Sequence, residues 1–171
     1  DGMQEKELST MDSIRYMVRF MHCGFVAIEP DTRQVKAWVG DIDFKPWKYD
    51  KVTAMRQPGS TFKPGVAVAA LDTGIITPYT IIETKGQYEY YSGYQPRCWI
   101  YLMFNRTHGA INVTEALQES CNYFFYYLGD HIPIAVMDET AKGMGLGELT
   151  GVELFEEQGR RSNPETKKAL Y

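Results

Sequence analysis

A nearly all-apolar segment sets the strongest limit on how this chain folds. Residues 64–71 read Pro-Gly-Val-Ala-Val-Ala-Ala-Leu, with a Pro-Gly turn before Ser60 and Asp-Thr-Gly after the segment, beginning at Asp72. These flanks predict a helix that begins near Ser60 and ends near Asp72. A helix that is apolar on every side has to be buried. The serine at its start should therefore lie on the floor of a cleft rather than on an open surface.

Two polar side chains at the start of this helix have a spacing that suits chemistry. Ser60 and Lys63 are three residues apart and should share one helix face. At the first turn, unpaired N–H groups and the positive end of the helix dipole favour developing negative charge. A lysine amine kept neutral by burial or a neighbouring cation can take the hydroxyl proton as the serine attacks a carbonyl. The structural alternatives are a helix-capping serine and a solvated lysine.

A second polar pair, Ser120 and Asn122, follows further along the chain in the sequence Glu-Ser-Cys-Asn-Tyr. A short helix capped by Asn112 or Thr114 should precede the pair, and another should begin near Asn122. Ser120 is therefore expected at a junction between two helices. Because serine and asparagine are both common helix caps, a purely structural role is the alternative for this pair.

The rest of the chain predicts a mixture of helices and strands. Residues 24–29 and 35–40 are rich in β-forming residues and flank a Pro-Asp-Thr-Arg-Gln turn, which predicts an antiparallel hairpin. Between residues 8 and 21, apolar residues recur at steps of three and four, the pattern of an amphipathic packing helix. A last helix is expected at about residues 134–144, and the charged tail at residues 156–171 has no clear period. Together these elements indicate the α+β class.

Charge and composition exclude several function classes. The formal net charge is -4, and no basic run interleaves with aromatic residues, so nucleic-acid binding is not expected. Cys23, Cys98 and Cys121 form no Cys-x-x-Cys pair, and no histidine shares a ligand spacing with a cysteine or an acid. We therefore expect no metal site and no cofactor. Neither a membrane-spanning run nor a signal peptide is present, which predicts a soluble protein or one whose anchor has been cut away.

The nine residues at positions 56–64, Arg-Gln-Pro-Gly-Ser-Thr-Phe-Lys-Pro, closely resemble the active-site serine motif of penicillin-binding protein transpeptidase domains. The predicted hairpin resembles the first hairpin of the bifunctional class, which also carries a glycosyltransferase domain. The segments after the serine motif resemble instead the monofunctional elongation class. They are residues 71–78, 98–101, 108–117, 120–125 and 145–152. The resemblance extends over roughly residues 24–154, and Ser-x-x-Lys with Ser-x-Asn is a signature of this family and of serine β-lactamases.

The resemblance implies a D,D-transpeptidase of bacterial peptidoglycan synthesis that acts on stem peptides ending in D-Ala-D-Ala and is acylated by β-lactam antibiotics. Ser60 would be the nucleophile and Lys63 the general base. Ser120 would relay a proton toward the leaving amine, and Asn122 would hold Lys63 and bind a backbone amide of the substrate. The resemblance further implies a role in cell shape, other cell-wall synthesis proteins as partners, and a place on the extracytoplasmic face of the cell membrane, with the anchor not present in this chain.

One family signature, Lys-Thr-Gly or Lys-Ser-Gly, does not occur in this chain. In the family it lies on a central strand that supplies one N–H of the oxyanion hole, and losing one such donor costs about 10²- to 10³-fold in rate. The sequence therefore predicts an incomplete α+β domain of the penicillin-binding-protein/serine β-lactamase type, with a mainly helical half and a β-hairpin. Residues 1–23 are expected to form an N-terminal linker and packing helix. Residues 24–171 are expected to form a partial transpeptidase domain that lacks the strand of the third motif.

Two other functions fit the same motifs. A serine β-lactamase shares the first two motifs and differs by rapid deacylation. A truncated or sensor-like module would keep the serine site, bind penicillin and not turn over. A triad of Ser60, His108 and an acid is formally possible, although the loop motif around His108 gives that residue an adequate structural role. Cys121 is expected to be a small packing residue rather than a second nucleophile.

Overall fold

The computed structural model describes residues 7–43, 48–90, 93–152 and 154–170. The chain forms two compact units. The hairpin unit comprises Asp1–Met55 with Gly151–Glu157, and the helical unit comprises Arg56–Thr150 with Gln158–Tyr171. Outside the described residues lie positions 1–6 of the predicted linker and positions 44–47, 91–92, 153 and 171 of the predicted transpeptidase segment. The domain boundary predicted after residue 23 stays a prediction, and the two compact units divide the chain at other residues.

The hairpin unit contains the predicted antiparallel hairpin. Strand β1 (Phe25–Ile28) pairs with strand β2 (Val35–Val39), and Phe25 lies opposite Val39. Helix α1 (Thr10–Met17) precedes them and begins at Ser9, whose hydroxyl accepts a hydrogen bond from the Asp12 N–H. The predicted hairpin is therefore confirmed, and the predicted N-terminal helix forms over a shorter range than its apolar pattern.

The packing role predicted for α1 stays a prediction, and none of the residues of α1 is buried in the described part of the chain. Ile14 and Met11 on its apolar side remain 51% and 58% exposed. A periodic pattern shows which side of a helix is apolar, but it does not show what covers that side. In a helix of only eight residues, the apolar stripe is two turns long and gives little area to bury.

The helical unit is built mainly from short helices around a central one. Its strands β3 (Ile82–Thr84) and β4 (Gly109–Ile111) form a second antiparallel pair, with Ile82 opposite Ile111. The helical elements are a 3₁₀ helix (Gly59–Phe62), α2 (Lys63–Asp72), α3 (Trp99–Phe104), α4 (Val113–Gln118), α5 (Asn122–His131), α6 (Ile134–Gly143) and α7 (Pro164–Leu170). Helices together with antiparallel strands confirm the predicted α+β class.

Helix α2 lies at the centre of the helical unit and contacts α4, α5 and α6. Its Ala69 and Ala70 are completely buried, as are Phe124 and Leu128 of α5. Phe124 and Leu128 are four residues apart and so project from one face of α5. Because alanine side chains are short, the neighbouring helices can approach α2 closely and fill the space with large side chains. The apolar run that begins after Lys63 thus forms one wall of the core.

The prediction that α2 is buried on every side is only partly correct. Gly65, Val66 and Ala67 are buried, but Val68 and Leu71 remain 43% and 36% exposed. In the part of the chain that the structure describes, the contacting helices cover one side of α2 and leave this other side open. An apolar pattern indicates that a surface favours burial, whereas the neighbouring elements decide which surface is buried.

Local signals set several helix ends. The predicted cap at Asn112 is confirmed as a capping box, in which Asn112 and Glu115 bond reciprocally to each other's backbone N–H.

Helix α7, by contrast, was not predicted. The Asn163 side chain accepts from the Thr166 N–H, and the Asn163 N–H donates to the Thr166 hydroxyl. Asparagine followed by Pro164 at the first helical position is a signal for the start of a helix. The tail was predicted from its apolar period alone, which does not include this signal. None of the described helices is long and apolar enough to cross a membrane.

Candidate active site

The turn before α2 exposes Ser60. Gly59 has a φ of +56°, a left-handed conformation that would strain a residue with a side chain. The chain then enters the 3₁₀ helix, and the Ser60 carbonyl accepts a hydrogen bond from the Lys63 N–H. Ser60 is exposed, and within the described part of the chain its hydroxyl has no hydrogen-bond partner. The prediction that Ser60 lies on the floor of a cleft is therefore wrong for the described residues, and the hydroxyl is open to a substrate.

The amine of Lys63 joins the two polar pairs. Lys63 Nζ lies 2.7 Å from the Ser120 carbonyl oxygen, 2.9 Å from Ser120 Oγ and 2.7 Å from Asn122 Oδ1. These three acceptors match the three N–H donors of a lysine ammonium group. The face of the Phe125 ring lies 5.5 Å from the amine on another side. Residues that are 57 and 59 positions from Lys63 in the sequence are thus brought into direct contact with it.

The position of Lys63 changes its basicity. Burial lowers the pKa of the Lys63 amine below its ordinary value, because partial removal from water penalises the charged form. Electrostatic interaction with the nearby Cys98 and Cys121 sulfur atoms acts in the opposite direction on the pKa of Lys63 and is the smaller effect. A lysine with a lowered pKa releases its proton more readily, which suits a general base.

Ser120 lies in a strained turn at the end of α4. Its φ is +48°, in the left-handed region that residues other than glycine rarely occupy. The Ser120 N–H donates to Leu117 O and the Cys121 N–H donates to Ala116 O, the bond pair that defines a Schellman motif. Glycine is the usual residue at this position of the motif, so serine costs about 1–3 kcal/mol of local strain. The prediction of a junction at Ser120 is confirmed, but its left-handed backbone gave no signal in the sequence.

A compact group of sulfur and nitrogen atoms lies next to this turn. The ligand atoms of Cys98, His108 and Cys121 are all within 4.8 Å of one another. The Cys98 sulfur is 4.0 Å from the Cys121 sulfur and 3.7 Å from His108 Nδ1. Both cysteines are fully buried, and His108 Nε2 is buried with no hydrogen-bond partner. Two thiols and an imidazole are donors that suit Zn²⁺, so within the described ranges this group could hold a metal ion.

This group bears on two statements made from the sequence. Spacing along the sequence did not reveal this group, because the fold brings together the residues that directly precede α3, β4 and α5, and the expectation of no metal site stays a prediction. The thiol hydrogen bond between the cysteines lowers the pKa of Cys98 and raises that of Cys121, and burial adds to the rise at Cys121. A raised pKa supports Cys121 as a packing residue rather than a nucleophile. His108 contacts Cys98 and the Trp99 ring, and no hydrogen bond joins it to Ser60 among the described residues.

Comparison with known proteins places these residues in a family context. A family model described as the penicillin binding protein transpeptidase domain matches residues 23–169. Peptidoglycan D,D-transpeptidase MrdA from Acinetobacter baumannii is 29% identical over 167 residues, an alignment that covers 83% of this chain and 24% of that protein. The chain spans between 16% and 24% of the length of the MrdA relatives from Escherichia coli and A. baumannii.

Two solved structures share the fold. Penicillin-binding protein PBP2 of Pseudomonas aeruginosa, in complex with WCK 5153, has a TM-score of 0.70 at 22% identity, covering 94% of this chain and 41% of that one. A complex between PBP2 and MreC from Helicobacter pylori has a TM-score of 0.54 at 34% identity, covering 60% of this chain and 18% of that one. The fold expected from the serine motif is therefore confirmed.

Proposed function

The chain belongs to the family of penicillin-binding protein transpeptidase domains, and we propose that it carries the serine acyl-transfer site of a peptidoglycan D,D-transpeptidase. The observation that carries this proposal is the contact of one half-buried lysine amine with Ser120 and Asn122, at the start of a helix. The turn before that helix presents the Ser60 hydroxyl, which has no hydrogen-bond partner among the described residues. A nucleophile, a base and a polar pair that orients the base are the parts that acyl transfer by serine requires.

In the proposed first step, the Ser60 hydroxyl oxygen attacks the carbonyl carbon between the two terminal D-alanines of a stem peptide. The hydroxyl proton passes to the neutral amine of Lys63 as the new carbon–oxygen bond forms. Collapse of the tetrahedral intermediate breaks the peptide bond and leaves the peptide as an ester on Ser60. The departing nitrogen takes up a proton and leaves as free D-alanine. An amine from a second stem peptide then attacks the ester, which forms the cross-link and restores the Ser60 hydroxyl.

The contacts of Lys63 suggest how protons move between these steps. As an ammonium group, Lys63 donates to both Ser120 oxygens and to Asn122 Oδ1. As a neutral amine it can accept one hydrogen bond, and the Ser120 hydroxyl, 2.9 Å away, is able to donate it. A proton taken from Ser60 can thus pass through Lys63 to the Ser120 hydroxyl and on to the leaving nitrogen. Asn122 keeps the amine in place and has a side-chain N–H group left for the substrate.

Other features of the proposal follow from the substrate and the relatives. A β-lactam ring presents a reactive amide carbonyl to Ser60, so penicillins would acylate the site.

We place the whole protein at the membrane, on its extracytoplasmic face, where stem peptides are cross-linked. PBP2 of H. pylori forms a complex with MreC, which supports another cell-wall synthesis protein as a partner here. A serine β-lactamase is not favoured, because the matched family is that of the transpeptidases.

The direct test of this function is the release and transfer of peptide. We expect the natural protein to release D-alanine from a peptide ending in D-Ala-D-Ala and to join the remaining peptide to an added amino acceptor. The control is the same peptide ending in L-Ala-L-Ala, which should release nothing. Mass spectrometry of the mixture detects both products. A folded protein that forms a lasting penicillin adduct but releases no D-alanine would be a sensor-like module, and rapid turnover of penicillin would indicate a β-lactamase.

The pKa of Lys63 predicts a particular pH dependence. The base must be neutral, so the acylation rate constant should rise with pH through the pKa of Lys63 and fall as the amine becomes protonated at lower pH. Because burial lowers that pKa, the midpoint should lie below the value of about 10.4 for a free lysine side chain. The measurement is penicillin acylation followed from about pH 5 to pH 10, with circular dichroism to verify folding at each pH. A rate that does not change with pH, or that falls as pH rises, would contradict a lysine base.

A further inference from the structure

The left-handed conformation of Ser120 is held from both sides. The two peptide groups that flank a residue set its φ and ψ. In the peptide group after Ser120, the Cys121 N–H donates to Ala116 O and the Ser120 carbonyl accepts from Lys63 Nζ. In the peptide group before it, the Ser120 N–H donates to Leu117 O. The remaining atom, the Glu119 carbonyl oxygen, is at the end of α4, where carbonyls have no partner within the helix.

Trp99 supplies that partner. Its indole N–H donates to the Glu119 carbonyl oxygen over 3.0 Å. Trp99 is itself fixed independently of the turn, because it is half-buried, packs against the core and lies edge-on to His108 at 5.7 Å between ring centres. The residue before it, Cys98, is fully buried, and its N–H donates to Gly86 O. The indole therefore holds the Glu119 carbonyl from a rigid position.

We propose that Trp99 is a positioning residue of the acyl-transfer site. Its indole N–H fixes the peptide group between Glu119 and Ser120 and so keeps Ser120 in the left-handed conformation, with both of its oxygen atoms on Lys63 Nζ. This inference rests on the proposed function, because that function explains why a strained serine occupies a position where glycine is usual. Without the indole N–H, three of the four bonds remain, and the strained turn can relax away from the amine.

The test removes the N–H while keeping an aromatic ring. Trp99→Phe in the natural protein should lower the saturating rate constant for acylation by a chromogenic cephalosporin, by about 10- to 100-fold, because misplacement near 1 Å can cost about 10²-fold. The dissociation constant of the complex that precedes acylation should change little. Trp38→Phe is the matched control, since Trp38 also loses an indole hydrogen bond, to Asp50 at 2.8 Å. Benzothienylalanine at position 99 replaces only the N–H by sulfur and should reproduce the loss, whereas an unchanged rate constant would overturn the proposal.

A second measurement does not depend on acylation. Hydrogen exchange of the Ser120 and Cys121 amides should become faster in Trp99→Phe and stay unchanged in Trp38→Phe. If the unaltered protein is not acylated but these amides exchange faster in Trp99→Phe, the proposed function fails and the role of Trp99 in holding the turn stands. If neither amide changes its exchange rate, Trp99 does not position Ser120, whether or not the protein reacts with the cephalosporin.

Discussion

Replacement of Ser60 by alanine should abolish the covalent adduct that a fluorescent penicillin forms with the natural protein. The adduct is an ester between the opened lactam and the serine oxygen. Another nucleophile could form an adduct only by moving to the position of that oxygen. The Ser120 hydroxyl also contacts Lys63, but it already accepts a hydrogen bond from the amine at 2.9 Å. The Cys121 thiol is fully buried and has a raised pKa, so it cannot serve as a substitute.

Gel fluorescence measures the loss, and mass spectrometry of a digest locates the adduct in the unaltered protein. Ser162→Ala provides a matched control, because Ser162 is another exposed serine of the helical unit. It should label like the unaltered protein. An adduct on Cys121 or Ser120 would show that the proposed roles are wrong. Labelling of Ser60→Ala at the original rate would mean that the nucleophile lies elsewhere.

Lys63→Arg should damage acylation nearly as much as Lys63→Ala does. The guanidinium group keeps the positive charge, but its pKa above about 12 prevents it from releasing a proton to become a base. General-base catalysis contributes about 10²- to 10⁴-fold in rate, and both variants should lose most of that factor. Loss of the three contacts to Ser120 and Asn122 should add to the effect in the alanine variant.

The measurement is the second-order rate constant of penicillin acylation at matched folded fraction, with thermal unfolding recorded for each variant. Lys142→Arg is the control, since Lys142 is an exposed lysine in α6 of the same unit. It should react like the unaltered protein. A substantial acylation rate in Lys63→Arg would mean that Lys63 acts through its charge alone, and the general-base mechanism would have to be abandoned.

Much of the local structure could be predicted from the sequence. The Pro-Gly turn before Ser60 and the apolar residues after Lys63 were sufficient to predict α2, and two runs rich in β-forming residues on either side of a turn were sufficient to predict the hairpin. The helix cap at Asn112 could also be predicted from the sequence. Each of these features depends on neighbours within about one helical turn or one tight turn, so the physical cause lies within a few residues of the effect. The serine motif also indicated the family, which the comparison confirmed.

The tertiary structure alone decided how these pieces form a candidate site. The contact of Lys63 with Ser120 and Asn122, the group of Cys98, His108 and Cys121, and the bond from Trp99 to Glu119 all join residues from different elements. Their approach depends on how α2, α4 and α5 pack, which spacing along the chain does not encode. The same packing left Ser60 exposed and one side of α2 uncovered within the described residues. Ser120 is left-handed in a local Schellman motif, and long-range bonds from Lys63 and Trp99 to the carbonyls of its two peptide groups add to that motif, against the local preference of a serine.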